Sequence, residues 1–87
     1  MKYTLEDLGL AAKEYLDAER DYKESYDFYR SLRNDYMEQT DQTFAEVMED
    51  STFLEVTTDA YRHSQLMKKE MNNAKNRMKT RYRSLNI

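Results

Sequence analysis

His63 is the only histidine of the sequence, and imidazole is the side chain best suited to metal binding or to proton transfer near neutral pH. Asp59 precedes it by four residues, so both side chains would share one face of a helix. A metal site in a helical bundle needs more, such as Glu-x-x-His motifs on facing helices, and the sequence has none. We therefore expect His63 to be exposed or to cap a helix, and we predict no metal site.

Other catalytic arrangements are also missing from the sequence. There is no cysteine, which excludes thiol chemistry, a disulfide framework and cysteine-based zinc sites. Carboxylates are numerous, but no spacing marks two of them as a buried acid/base pair, and one glycine cannot build a phosphate-binding loop. We predict that the protein is not an enzyme and that it uses no cofactor.

Tyrosine is the most unusual component, with eight residues among 87. A tyrosine ring buries much area while its hydroxyl needs a partner, which suits a partly wet seam between helices. The same property suits a surface that anchors a partner protein or, as a third reading, a site that stacks nucleotide bases. The tyrosines concerned recur at helical spacing along the first half of the chain: Tyr15, Tyr22, Tyr26, Tyr29 and Tyr36.

Charge is divided unevenly along the chain. Most acidic residues precede Lys68, whereas the charged residues of 68–87 are all basic apart from Glu70. The formal net charge of −3 therefore combines an acidic body with a basic tail. The acidic residues that we predict to bind a partner are Glu14, Asp17, Asp21, Asp27 and Asp35. The alternative site is a basic patch of Lys68, Lys69, Lys75, Arg77, Lys79, Arg81 and Arg83, which would bind phosphates by counterion release.

The elements that must position these side chains are two long helices. The first is predicted over residues 4–38, because Thr4 and Asp7 form a capping pair and no proline follows. Gly9 in its second turn suggests a close approach by another segment. Its apolar stripe is Leu5, Leu8, Ala12, Tyr15, Tyr22, Tyr26, Tyr29 and Tyr36, with Glu19 and Arg33 in the two remaining slots.

Polar residues interrupt the pattern over residues 39–51, where we predict a turn or a short helix capped by Thr43 and Glu46. The second long helix is predicted over residues 52–85, with Thr52 and Glu55 as its capping pair. Its apolar stripe is Phe53, Val56, Ala60, Met67, Met71, Ala74, Met78 and Leu85.

Two helices of nearly equal length joined by a short linker favour an antiparallel hairpin. A register in which paired residue numbers sum to about 90 sets Leu8 near Tyr82 and Ala12 near Met78. It also lays Glu6, Glu14, Asp17 and Asp21 along Lys69, Lys75, Lys79, Arg81 and Arg83. The predicted fold is thus an all-α hairpin forming a single domain, residues 1–87, with exposed stripes that a second copy would cover in a helical bundle or coiled-coil-like oligomer.

The first residues do not resemble a signal peptide, and no stretch approaches the roughly 18 apolar residues of a membrane span. We expect a cytoplasmic protein without membrane contact. We interpret it as a protein–protein interaction module that acts through an acidic, tyrosine-rich helical surface, as an inhibitor or adaptor of the kind that phage and mobile elements encode. Two alternatives stay open: nucleic-acid or nucleotide binding by the basic C-terminal helix, and a structural or assembly role.

Overall fold

Two long antiparallel helices form almost the whole molecule in the computed structural model, which describes residues 3–85. Helix α1 covers Leu5–Thr40, helix α2 is a single turn over Phe44–Val47, and helix α3 covers Ser51–Arg83. The result is a rod of 59 × 18 × 16 Å. The predicted all-α hairpin is confirmed. Within residues 3–85, no helix is long and apolar enough to cross a membrane.

The helix starts follow the capping chemistry of the sequence, with one correction. Thr4 forms a complete capping box with Asp7 at the start of α1, and Thr43 forms one with Glu46 at the start of α2. Helix α3 is capped by Asp50, whose carboxylate accepts the first free backbone N–H groups of the helix. The predicted cap at Thr52 is wrong, because Thr52 is already inside the helix and its own backbone N–H is one of those that Asp50 binds.

The predicted register of the hairpin is confirmed along its length. Leu8 and Tyr82 line one groove near the chain ends. In the middle of the rod, the ring centroids of Tyr29 and Tyr61 lie 5.4 Å apart. At the chain ends, the backbone N–H of Tyr3 donates a hydrogen bond of 2.9 Å to the Ser84 carbonyl oxygen, which joins the start of α1 to the end of α3.

Residues spaced seven apart form the seam between α1 and α3, as in a coiled coil. One line of α1 carries large side chains and the other carries small ones apart from Leu32, and α3 mixes the two. The lines of α1 are Leu8, Tyr15, Tyr22, Tyr29 and Tyr36, and Ala11, Ala18, Ser25 and Leu32; those of α3 are Phe53, Ala60, Met67 and Ala74, and Thr57, Ser64, Met71 and Met78. Every one of these residues is buried or half-buried. Near the loop, rings of the two helices pack on each other, since the ring centroids of Tyr36 and Phe53 lie 5.3 Å apart.

Three small polar residues in this seam are absent from the predicted stripes: Ser25, Thr57 and Ser64, all buried. Each hydroxyl donates to a carbonyl oxygen of its own helix, at 2.8, 2.7 and 2.8 Å respectively, so burial leaves it satisfied. Val56, placed on the stripe of α3 by the apolar pattern, is 70% exposed. The expected close approach at Gly9 is also wrong, because nothing lies within 4 Å of a Cβ built there.

The fully apolar core is small and lies at the loop end of the rod. Tyr29, Val47 and Phe53 form its centre, and Tyr36 and Met37 are among the side chains that pack against it. The accessible surface of the molecule is 6601 Å², whereas a compact monomer of its mass exposes about 5,500 Å². The hairpin therefore leaves an unusually large area open to partners.

Candidate interaction faces

The seam divides the surface of the hairpin into two broad faces, each built from both helices. One, named here the acidic face, includes the carboxylates of Glu14, Asp17, Asp21, Glu24, Asp35, Glu38, Asp59 and Glu70. The other, the basic face, includes Lys23, Arg30, Arg33, Lys68, Lys75 and Lys79, with Glu19 as its acidic member. The seam lines define a seven-residue repeat in each helix, and the position of a residue in that repeat decides on which side of the seam it lies.

Contacts across the hairpin confirm these two sides. On the acidic face, Arg77 of α3 forms an ion pair of 3.6 Å with Glu14 of α1. On the basic face, the Lys75 charge is near enough to help lower the pKa of Glu19, after the larger effects of hydrogen bonds from Tyr15 and Lys23. The two faces thus carry opposite charge on opposite sides of one rod.

The acidic face also carries exposed apolar side chains among its carboxylates: Leu10, Phe28, Val56 and Leu66. Phe28 is 59% exposed and borders a groove of about 450 Å³. Asp21, Glu24 and His63 contribute the polar part of the groove's lining. A ring beside carboxylates on an open groove is an arrangement that suits a partner with both apolar and cationic groups.

Four of the five acidic residues proposed from the sequence lie on this face, namely Glu14, Asp17, Asp21 and Asp35. Asp27 lies on the back of α1, where it forms an ion pair of 3.9 Å with Arg30. Asp17 and Asp21 both pair with Arg20 of their own helix. Among residues 3–85, Glu24 and Asp35 form no ion pair.

The expected alignment of acidic and basic side chains across the hairpin is wrong in most of its members. Among the described residues, the pair of Glu14 with Arg77 is the only ion pair that joins the two helices. The reason is helical phase. Lys75 and Lys79 point to the side opposite Glu14, and Lys69 lies on the back of α3, so none of them can meet Glu14, Asp17 or Asp21.

The basic patch proposed from the sequence is divided among several surfaces for the same reason. Arg81 sits at the seam with its guanidinium 5.2 Å from the centre of the Tyr3 ring. Lys68, Lys75 and Lys79 belong to the basic face, and Arg83 borders the groove beside Lys79 and Tyr82. Lys69 lies on the back of α3, and Arg77 lies on the acidic face. Sequence reasoning missed Lys23, Arg30 and Arg33 of α1, which complete the basic face.

Most of the tyrosine stripe belongs to the seam. Tyr29 is buried, and burial raises the pKa of its phenol. The Tyr15 hydroxyl donates to Glu19 at 2.9 Å, and this hydrogen bond raises the pKa of Tyr15. Tyr22 and Tyr36 are half-buried, so of the five only Tyr26 is exposed. The reading of the stripe as a seam is therefore the one that the packing supports.

The tyrosines that remain exposed lie on the basic face. Tyr26, Tyr61 and Tyr82 share this side of the rod, and Tyr82 is 67% exposed. The surface expected from the sequence, both acidic and tyrosine-rich, is thus separated into two: the carboxylates stand among aliphatic residues and Phe28, and the free phenols stand among lysines and arginines.

His63 lies on the acidic face at the groove beside Phe28. Within residues 3–85, no three histidine and carboxylate side chains are grouped so that they could hold a metal ion. The chain matches no protein-family model, no curated protein and no solved structure. What the molecule does must therefore be inferred from its two faces.

Proposed function

We propose that the protein is a non-enzymatic protein-binding module whose acidic face docks onto a basic surface of a protein partner. The observation that supports this is the grouping of carboxylates from both helices around exposed apolar side chains. The basic groups among the carboxylates are few: Arg77, His63, and Arg20, which pairs with Asp17 and Asp21. Protein interfaces combine apolar anchors at the centre with a polar rim. Complementary charge around such anchors accelerates association and excludes wrong partners.

Phe28 is the anchor that the geometry favours. Its ring is largely exposed beside an open groove, and burying an aromatic ring of this size contributes about 1.5–3 kcal/mol. Asp21 and Glu24 line the same groove. They are placed to meet cationic side chains of the partner around the pocket that receives the Phe28 ring. Aromatic anchors of this kind commonly dominate the binding energy of an interface.

The role consistent with this arrangement is that of an inhibitor or adaptor that covers a basic surface. Carboxylates run along one side of the rod from Glu14 to Glu38, and such a line of negative charge resembles a nucleic-acid backbone in its field. A protein that binds nucleic acid through a basic groove would be a partner of matching chemistry.

Photo-crosslinking in cells of the source organism would test this proposal. With p-benzoylphenylalanine in place of Phe28, we expect a discrete adduct with a partner protein, and the same group at Asn34, on the back of α1, should give none. The adduct should disappear in the Glu24→Lys/Asp35→Lys background. It should persist with Asp27→Lys/Glu55→Lys, an equal change of charge on the backs of the two helices.

Two outcomes would overturn the proposal. One is the absence of any adduct at Phe28 when the variant is folded and expressed. The other is an adduct that both charge reversals leave unchanged, because the carboxylates would then have no part in recognition.

A second candidate function is nucleic-acid binding on the basic face, favoured by the exposure of Tyr82 next to Lys79 at a groove of about 490 Å³. Cationic grooves with exposed aromatic rings hold single strands by charge and base stacking. Fluorescence anisotropy with a labelled single-stranded oligonucleotide would test it. Lys75→Gln/Lys79→Gln should then weaken binding more than Lys13→Gln/Lys69→Gln, on the backs of the two helices. Equal effects, or no binding at low salt, would exclude this function.

A further inference from the structure

We propose that the partner surface recognised by the acidic face is the basic face of a second copy of the chain, so that the hairpins stack face on face. This inference rests on the proposed function, since it names the partner of the same acidic face. A structural or assembly role would follow from it.

The first argument is surface area. The rod exposes roughly 1,100 Å² more than a compact monomer of its mass. A standard protein interface covers about 800 Å² on each partner, so this excess is large enough for one such contact. The apolar core within one hairpin is centred on only three residues, Tyr29, Val47 and Phe53, so burying further apolar surface against a second copy would stabilise the fold.

The second argument is the position of the charges along the rod. In the register of the hairpin, Lys79 lies level with Ala12 at one end of the charged region, and Arg33 marks the other end on the basic face. The carboxylates of the acidic face run from Glu14 to Glu38. The two sets therefore cover nearly the same length, and a copy laid alongside without an axial shift would oppose most of the cations to carboxylates, with Glu19 and Arg77 as exceptions.

The third argument is the distribution of exposed apolar side chains, which occur on both faces. Leu10, Phe28 and Leu66 stand on the acidic face, and Leu16, Tyr26 and Tyr61 stand on the basic face. Each face therefore offers apolar centres within its charged rim. Two acidic faces or two basic faces could also bury such residues, but they would set like charges opposite each other.

The geometry of this contact differs from that of a closed dimer. The acidic and basic faces lie on opposite sides of the rod, so a copy bound through one face leaves its other face open. Such a contact joins different patches on the two copies, and it extends into a stack unless rotation closes it into a ring. A closed dimer, in contrast, would pair one face with itself.

A charge-exchange experiment tests the stacking. Variant one reverses the acidic face (Asp21→Lys/Glu24→Lys/Asp35→Lys/Asp59→Lys), and variant two reverses the basic face (Lys23→Glu/Lys68→Glu/Lys75→Glu/Lys79→Glu). All eight positions are exposed, and circular dichroism would verify that each variant keeps its helices. Each variant alone loses the opposite charge of its two faces and should remain monomeric. Mixed in equal amounts, the two variants should associate, because each then meets a face of opposite charge.

Light scattering on a sizing column measures the outcome. For the wild type at low salt we expect the mass to rise at least about twofold on concentration and to fall back at high salt. A control that changes the backs of the helices, Lys13→Glu/Asp27→Lys/Glu55→Lys/Lys69→Glu, should behave as the wild type does.

A wild-type monomer at every concentration would overturn the stacking, as would a dimer that salt does not affect, a mixture of the two variants that fails to associate, or association that nuclease removes. If the Phe28 photo-crosslinker nevertheless captures a different protein in a charge-dependent way, the proposed function stands and only the stacking fails. If it captures neither a second copy nor another protein, both fail.

Discussion

The Tyr36 hydroxyl donates a hydrogen bond of 2.8 Å to the Asp50 carboxylate, and this contact joins the last turns of α1 to the N-cap of α3. The same carboxylate accepts the backbone N–H groups of Thr52 and Phe53 and a side-chain N–H of Gln42. The bond from Tyr36 is the largest cause of a lowered pKa at Asp50. One carboxylate thus starts α3 and fixes the angle at which the chain returns along α1.

We predict that Tyr36 and Asp50 are energetically coupled. Tyr36→Phe and Asp50→Ala should each lower the urea midpoint, and the double variant should lose less than the two single losses combined, because either change alone already removes the shared bond. Urea unfolding followed by circular dichroism measures this cycle. Glu55→Gln, on the exposed back of α3, serves as the control. Strictly additive losses would show that the bond contributes nothing to the hairpin.

Phe53 should be the most costly residue to truncate. Its side chain is fully buried, and the rings of Tyr29 and Tyr36 lie 6.4 and 5.3 Å from its own. Removing a buried phenylalanine costs about 3–5 kcal/mol, which is comparable to the whole stability of a domain of this size. Phe53→Ala should therefore be largely unfolded by circular dichroism at 25 °C.

Val56→Ala is the matched control for Phe53→Ala. Val56 lies one turn further along α3 and is 70% exposed, so its truncation should change the free energy of unfolding by no more than about 0.5 kcal/mol. A large loss at Val56 in dilute solution would mean that this side chain is covered by another molecule.

The periodic tyrosines and the matched helix lengths were enough to predict the hairpin and its register. Large apolar side chains repeat on one side of each helix, and their burial fixes which residues meet across the seam. The small residues were not predictable in this way. Ser25 and Ser64 look like surface residues in a sequence, but their hydroxyls are satisfied within their own helices, so burial costs them little.

The candidate faces could be predicted only in part, because residues that are close in the sequence lie on the same face only if they also point the same way around the helix. Lys68 and Lys69 are adjacent in the chain, yet one lies on the basic face and the other on the back of α3. Assigning them requires the second line of the seam, and half of that line, Thr57 and Ser64, consists of residues that hydrophobicity does not mark. Most of the acidic set was placed correctly, since successive carboxylates there follow helical spacing.

Ser64 is the position where the close packing of the seam can be tested. It is fully buried, so a leucine there would either push the helices apart or force neighbouring side chains off their favoured rotamers, at a cost of about 1–3 kcal/mol. Ser64→Ala should be tolerated, since the hydroxyl bonds only to the Tyr61 carbonyl oxygen of its own helix. Gln65→Leu, at the next and exposed position, is the control. Equal urea midpoints for the two leucine variants would show that the helices are not closely packed at this point.

Alkaline titration should show higher pKa values for the seam tyrosines in the folded protein than in the unfolded chain. The pKa values of Tyr15, Tyr29 and Tyr36 are raised above the ordinary value of 10.0, through hydrogen bonds to Glu19 and Asp50 for Tyr15 and Tyr36 and through burial for Tyr29. Absorbance at 295 nm should therefore show a late phase in the folded protein that merges into one transition near pH 10 in guanidinium.

The sign of these shifts also predicts how stability depends on pH. A group whose pKa is higher in the folded chain favours folding in its protonated form, and this contribution is complete below pH 10 and is lost as the pH rises through the folded value. Urea midpoints should thus fall between pH 10 and the end of the late phase. Glu19→Gln removes the carboxylate that accepts the Tyr15 bond, so it should move part of the late phase back towards pH 10. An unchanged titration curve in this variant would mean that the bond does not persist in solution.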